Sequence, residues 1–190
     1  MPRWILASAS PRRHDLLRLL LPGFEVVPSN LEERAEPGEP PEALVQRLAR
    51  EKALTVQGSY PDATILSADT VVVCSSQILN KPASPEEARE MLRKLSGQTH
   101  RVLTGVCVVE GKRSKVDFAS TNVKFSILSG SEIDSYVNSG EPLDKAGAYA
   151  VQGRGARFIE SIDGCYFNVV GLPVSLLYRM LKELGYELSG

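Results

Sequence analysis

The stretch Thr64-Ile65-Leu66-Ser67-Ala68-Asp69-Thr70-Val71-Val72-Val73-Cys74 is the most apolar run in the chain. It reads as a strand buried on both faces, which belongs inside a covered sheet. Asp69 interrupts it. A buried carboxylate without partners is costly, so a cation or hydrogen-bond donors must stand beside it. Packing alone gives no reason for an acid at this point, and an acid so placed points to function. Thr70 projects to the opposite side of an ideal strand, unless a bulge brings it back.

A second stretch lies near the start. The apolar run Trp4-Ile5-Leu6-Ala7 leads into Ser8-Ala9-Ser10-Pro11-Arg12-Arg13, and a helical pattern follows with Leu16, Leu17, Leu19 and Leu20. This reads as strand, tight loop and helix start, with Ser10 as N-cap and Pro11 at the first helical position. Free N–H groups at a helix start favour an anion, and two guanidiniums add forked donors suited to phosphate. The same residues read equally well as an ordinary capped helix with two solvated arginines. No Gly-x-x-x-x-Gly-Lys-Ser/Thr loop occurs anywhere.

Pro22-Gly23 ends that helix, and residues 24–27 read as a short strand. A loop rich in Pro and Glu follows. Glu36 and Glu39 read as a solvated charge run, whereas Glu32 and Glu33, nearer the strand end, are the better ligand candidates. Residues 41–56 have helical spacing, with Ala43, Leu44, Leu48 and Ala49 on one apolar side. Lys52 lies one turn after Leu48. A lysine there is ordinarily a surface residue, and its alternative is to leave the core edge toward a cleft.

Beyond the long strand, Ser75-Ser76 is a turn, and Pro82 holds Lys81 in extended backbone. Ser84, Pro85 and Glu87 open a helix with a capping box that runs to Leu95. Residues 99–110 and 114–127 read as an antiparallel pair of strands, and residues 131–137 as a helix. The segment Asp144-Lys145-Ala146-Gly147-Ala148-Tyr149-Ala150-Val151-Gln152-Gly153 permits close backbone approach. Gln152 there can donate and accept, which suits reading a base edge; the plainer reading is a Gly-rich turn between two strands. Short strands are expected at residues 158–162 and 165–170, and a final amphipathic helix at residues 174–184.

Composition excludes several classes. A net charge of −1 over 190 residues gives no reason to expect nucleic-acid or membrane binding. Cys74, Cys107 and Cys165 are far apart, as suits free thiols in a reducing cytoplasm. No Cys/His cluster has zinc spacing, and the two histidines, His14 and His100, make a histidine-based triad improbable. No apolar run approaches the ~20 residues that span a bilayer, and the N-terminus has no signal-peptide pattern. The length suits one domain over residues 1–190.

Together these stretches resemble the Maf (septum-formation) family of nucleoside triphosphate pyrophosphatases over essentially the whole chain. The carrying motifs are Ala7-Ser8-Ala9-Ser10-Pro11-Arg12-Arg13, Arg50-Glu51-Lys52-Ala53, Ala68-Asp69-Thr70, Asn80-Lys81-Pro82, Leu95-Ser96-Gly97-Gln98-Thr99-His100, Asp144-Lys145-Ala146-Gly147-Ala148-Tyr149, Val151-Gln152-Gly153 and Val170-Gly171-Leu172-Pro173. Ala9 departs mildly, since many relatives carry Gly there. The resemblance implies an α/β fold with a twisted mixed central sheet flanked by helices, in two lobes with a cleft, like the inosine triphosphate pyrophosphatases. It implies hydrolysis between the α and β phosphates with a divalent cation, Mg²⁺ or alternatively Mn²⁺ or Co²⁺. Carried over by position, Ser8, Arg12, Arg13, Lys52 and Lys81 hold the triphosphate. Glu33 and Asp69 stand at the metal, and Asp69 is the base or orienting group for water. Thr70 with Gln152 resembles the dTTP/UTP pyrophosphatase branch. Two alternatives are a 7-methyl-GTP pyrophosphatase, disfavoured by Gln152, and a nucleotide-binding regulator of septum formation. A homodimer in the cytoplasm is the further expectation.

Overall fold

The computed structural model describes residues 2–188. In chain order its elements are β1 (Trp4–Leu6), α1 (Pro11–Leu17), β2 (Glu25–Val26), α2 (Pro41–Gln57), β3 (Thr64–Cys74), β4 (Gln77–Leu79), α3 (Pro85–Leu95), β5 (Thr99–Glu110), β6 (Arg113–Phe125), α4 (Gly130–Val137), β7 (Ile159–Asp163), α5 (Tyr166–Val170) and α6 (Val174–Glu183). Short 3-10 turns occupy Glu141–Asp144, Ala146–Ala148 and Arg154–Phe158. The strands form a sheet in the order β2-β1-β3-β5-β6-β7, with β4 on β3. β1 runs parallel to both β2 and β3, whereas β3–β4 and β6–β7 are antiparallel, so the sheet is mixed. No described helix is long and apolar enough to cross a membrane.

The chain divides into two compact units. The first takes the chain up to Asp69, Thr104–Ala119 and the chain from Gly171; the second takes Thr70–Leu103 and Ser120–Val170. Each has its own core. In the first unit Ile5, Ala7, Ala49, Ala53, Ile65 and Cys107 pack together. A Cβ on Gly105 would collide with the Val45 carbonyl, so glycine is what lets α2 lie against the backbone of β5. The Ser67 hydroxyl donates to the Ala49 carbonyl at 2.5 Å and ties α2 to β3. In the second unit Phe125, Tyr136, Tyr149 and Phe158 centre the core. Their rings meet edge to face, Phe125 with Tyr149 at 4.8 Å and Tyr136 with Phe158 at 5.2 Å.

Three local expectations need correction. Residues 165–170 form α5, not a strand. Asn168 is fully buried there and donates to the Val102 carbonyl at 2.9 Å and to Thr121 Oγ1 at 3.0 Å. Those tertiary bonds override the β preference of Cys-Tyr-Phe-Asn-Val-Val. The capping box at α3 is half formed: Ser84 Oγ accepts from Glu87 N, but the Glu87 carboxylate turns to Ala83 N. A complete box opens α4 instead, between Ser129 and Glu132. Helix α1 stops at Leu17, short of the Leu20 that the apolar spacing suggested, and Leu19 is exposed.

Candidate active site

The first unit gathers most of the expected site residues. Ser67 and Asp69 lie two apart on β3 and share a face, while Ala49 and Lys52 lie three apart on α2 and share another. The Ser67–Ala49 hydrogen bond therefore carries Lys52 to Asp69. Lys52 Nζ stands 2.6 Å from Asp69 Oδ1 and 2.7 Å from Glu33 Oε1. Lys52 is 5% exposed and Asp69 3% exposed, so the lysine is no surface residue. It is the cation that the buried carboxylate required. Such a pair survives burial because each charge is satisfied by the other.

Glu33 sits on the loop after β2, half exposed. Arg47, on α2, holds that loop: its guanidinium donates to the Arg34 carbonyl at 2.9 Å and to both carboxylate oxygens of Glu39 at 2.7 Å. Glu39 is thus a structural anchor, against the expectation of a solvated charge. Its hydrogen bonds raise the Arg47 pKa above the ordinary guanidinium range.

The loop after β1 is built as its sequence suggested. Ser10 caps α1 through Arg13 N at 3.5 Å, and Pro11 takes the first position. Ser8 is buried, and its Oγ accepts from Ser10 N at 3.2 Å and from Arg13 Nη1 at 3.3 Å. The Ser8 proton then remains the part that can meet an anion. Arg13 Nε donates to the Gly171 carbonyl at 2.8 Å, which fixes its fork. Burial lowers the Arg13 pKa from the guanidinium range, and the charges of Asp69 and Glu33 oppose that fall. Helix α1 has seven residues, so the positive charge here comes chiefly from Arg12 and Arg13 rather than from the helix dipole.

Thr70, Lys81 and Gln152 belong to the second unit. Thr70 follows Asp69 directly on β3. Lys81 is exposed on the loop after β4, and Gln152 is exposed between the second and third 3-10 turns. Two features hold their segments together. Gly147 N donates to the Asn80 carbonyl at 3.2 Å, and a Cβ on Gly147 would meet the Val72 side chain at 2.8 Å. The segment before Gln152 therefore lies on β3 two residues past Thr70. It connects α4 to β7 through 3-10 turns, not one strand to another.

Several contributors were not legible in the chain. Ser67 docks α2, and Arg47 anchors the Glu33 loop. Tyr136 and Glu141 grip the Gln152 segment, with Ala150 N donating to Tyr136 Oη at 3.1 Å and Tyr136 Oη to Glu141 Oε1 at 2.8 Å. Only the glycines at 153 and 155 hint at such close approach.

The donor set fits a hard divalent cation. The two carboxylates offer oxygen ligands, and among the described residues no group of three or more His, Cys, Asp or Glu gathers to form an all-protein cage. One or two carboxylates completed by substrate phosphate and water is the usual way a protein holds Mg²⁺.

The chain has relatives along nearly its whole length. A family model described as Maf-like protein matches residues 3–184. A protein of Syntrophomonas wolfei named dTTP/UTP pyrophosphatase is 49% identical over 182 residues, covering 95% of this chain and 96% of its own. One of Gloeobacter violaceus with the same name is 51% identical over 181 residues, covering 95% of each. Among solved structures, the Ham1 protein of Staphylococcus aureus superposes with a TM-score of 0.54 at 14% identity, over 96% of this chain and 99% of that one. The HAM1 protein of Coxiella burnetii gives 0.52 at 15% identity, over 96% of this chain and all of that one. These two show a shared fold alone. The family match along nearly the whole chain, with relatives close to half identical, establishes that this protein belongs to the Maf family.

Proposed function

We propose that the protein hydrolyses dTTP and UTP between the α and β phosphates, giving the nucleoside monophosphate and pyrophosphate. The observation that carries this reading is Lys52, buried between Asp69 and Glu33 in the unit that also holds Ser8 and Arg13. Binding alone would not need a buried acid beside the phosphate cations. The substrate follows from the named activity of relatives close to half identical.

Ser8, Arg12, Arg13, Lys52 and Lys81 hold the triphosphate and neutralise charge as pyrophosphate leaves. Lys52 occupies Asp69 Oδ1, so Oδ2 is the oxygen that meets the attacking water. Asp69 orients that water and accepts its proton, the oxygen bonds to the α phosphorus, and the bond to the bridging oxygen breaks. Glu33 and Asp69 would hold the divalent cation, which when bound adds Lewis-acid stabilisation of the developing charge. The Gln152 amide meets the donor–acceptor edge of uracil or thymine, with Thr70 beside the base.

The test is pyrophosphate release from dTTP, UTP, CTP and 7-methyl-GTP with Mg²⁺, with Asp69→Asn in parallel. Turnover of dTTP and UTP is expected, reduced by about 10²–10³ in Asp69→Asn by analogy with loss of one transition-state contact. A preference for 7-methyl-GTP would refute the substrate assignment. Nucleotide binding without turnover would refute the enzyme.

A further inference from the structure

The segment that carries Gln152 is tied on both sides of that residue by one pair of side chains. On the near side, Ala150 N donates to Tyr136 Oη at 3.1 Å, and the Tyr136 hydroxyl donates to Glu141 Oε1 at 2.8 Å. On the far side, Arg154 N donates to Glu141 Oε2 at 3.0 Å and Gly155 N to Oε1 at 3.2 Å. Gly153 lies flat on the same carboxylate, where any Cβ would collide with it. A Cβ on Gly155 would meet Tyr136 Oη at 2.6 Å. Tyr136 is fully buried with its ring edge on Phe158, and Lys145 Nζ holds the Glu141 backbone carbonyl at 2.8 Å, so the clamp is itself anchored. Between the tied amides lie Val151, Gln152 and Gly153, and Gln152 is exposed.

We infer that Tyr136 and Glu141 are positioning residues for base selection: by fixing the main chain on both sides of Gln152 they aim its amide at a single donor–acceptor edge. The inference rests on the reading of Gln152 as the base-contacting residue. Burial works to raise the Glu141 pKa, yet the Arg154 amide, the Tyr136 hydroxyl and the Gly155 amide hold it below the ordinary carboxylate range. The anion, with its two oxygens as acceptors, is therefore the form that the segment closes on. A side chain that must discriminate UTP from CTP by hydrogen bonds needs this fixity, because a mobile amide can turn over to suit either edge.

The test measures kcat and KM for dTTP, UTP and CTP in the wild type, Glu141→Gln, Tyr136→Phe, Gln152→Ala and the Glu141→Gln/Gln152→Ala double variant. Glu141→Gln keeps one acceptor oxygen but presents an NH₂ group to Arg154 N. Its ratio of kcat/KM for UTP over CTP is expected to fall about tenfold, the size of one lost hydrogen-bond readout. The loss should lie mainly in KM for UTP and dTTP. Tyr136→Phe keeps the ring packing, cuts only the Ala150 and Glu141 links, and should shift the ratio the same way by less. In the Gln152→Ala background Glu141→Gln should cost no further discrimination. Unchanged discrimination in folded variants, an equal loss for all three nucleotides, or an undiminished Glu141→Gln effect without Gln152 would each overturn the inference. Should Glu141→Gln not fold, Tyr136→Phe decides. A wild type that turns over neither dTTP nor UTP overturns the activity reading and the inference with it; normal turnover with unshifted variants overturns the inference alone.

Discussion

His100 makes the stability of this protein depend on pH in a way that can be worked from its surroundings. The ring is buried against the edges of Phe125 and Tyr149, and Nε2 lies 2.8 Å from Tyr149 Oη. Nδ1 is buried without a hydrogen-bond partner. With the proton on Nε2, the ring donates to Tyr149 and leaves on Nδ1 only a buried lone pair. Protonating Nδ1 would place a charged N–H there with no acceptor. Burial accordingly lowers the His100 pKa from 6.5 to about 4. In the unfolded chain the same histidine titrates near its ordinary value. Because the folded pKa is the lower one, the contribution is complete above about pH 7, falls as pH drops through 6.5, and levels off below the folded value. From pH 7.5 to pH 5 the linkage relation gives a loss of about 2 kcal/mol. For a chain of this size that is a fall of about 4–8 °C in melting temperature from this one group. The assay is urea unfolding of the wild type and His100→Gln at several pH values between 7.5 and 4.5. The wild-type stability minus that of the variant should fall by about 2 kcal/mol toward pH 5, whatever its sign at pH 7.5. Parallel curves across that range would refute the reasoning.

Lys52→Met should cost about 3–5 kcal/mol, because Asp69 is left buried without its cation. Urea unfolding checks this, and adding Asp69→Asn to Lys52→Met should restore much of the loss while the activity stays absent. Arg47→Ala should release the loop that carries Glu33, raising KM for the nucleotide severalfold by steady-state kinetics. Its melting temperature should fall by no more than about 4 °C, since a part-exposed ion pair contributes about 1 kcal/mol or less.

Much of the fold could be read in the chain. The strand Thr64–Cys74 was found residue for residue, and α2, α3 and β5 lie within a residue or so of their expected spans. These are long apolar runs of one period, closed by Pro, Gly and Ser, and their signals are local. The charge at Asp69 could also be read, because a carboxylate in such a run demands a partner. The same chain misled at residues 165–170, where β-branched and aromatic side chains suggested a strand. The buried bonds of Asn168 to Val102 and Thr121 decided for a helix, and both partners are more than forty residues away.

By itself, then, the sequence determined the long elements of one period, the need for a cation at Asp69, and the resemblance that named the chemistry. Only the tertiary structure decided that Lys52 is that cation, that Glu39 anchors Arg47 instead of standing in water, and that Tyr136 and Glu141 close on the Gln152 segment. Periodicity and capping act between neighbours a few residues apart and are written where they act. Which charge meets which carboxylate depends on how one element seats against another. That seating is set by contacts such as Ser67 on the Ala49 carbonyl and Gly105 under Val45, which have no trace in the local pattern of either segment.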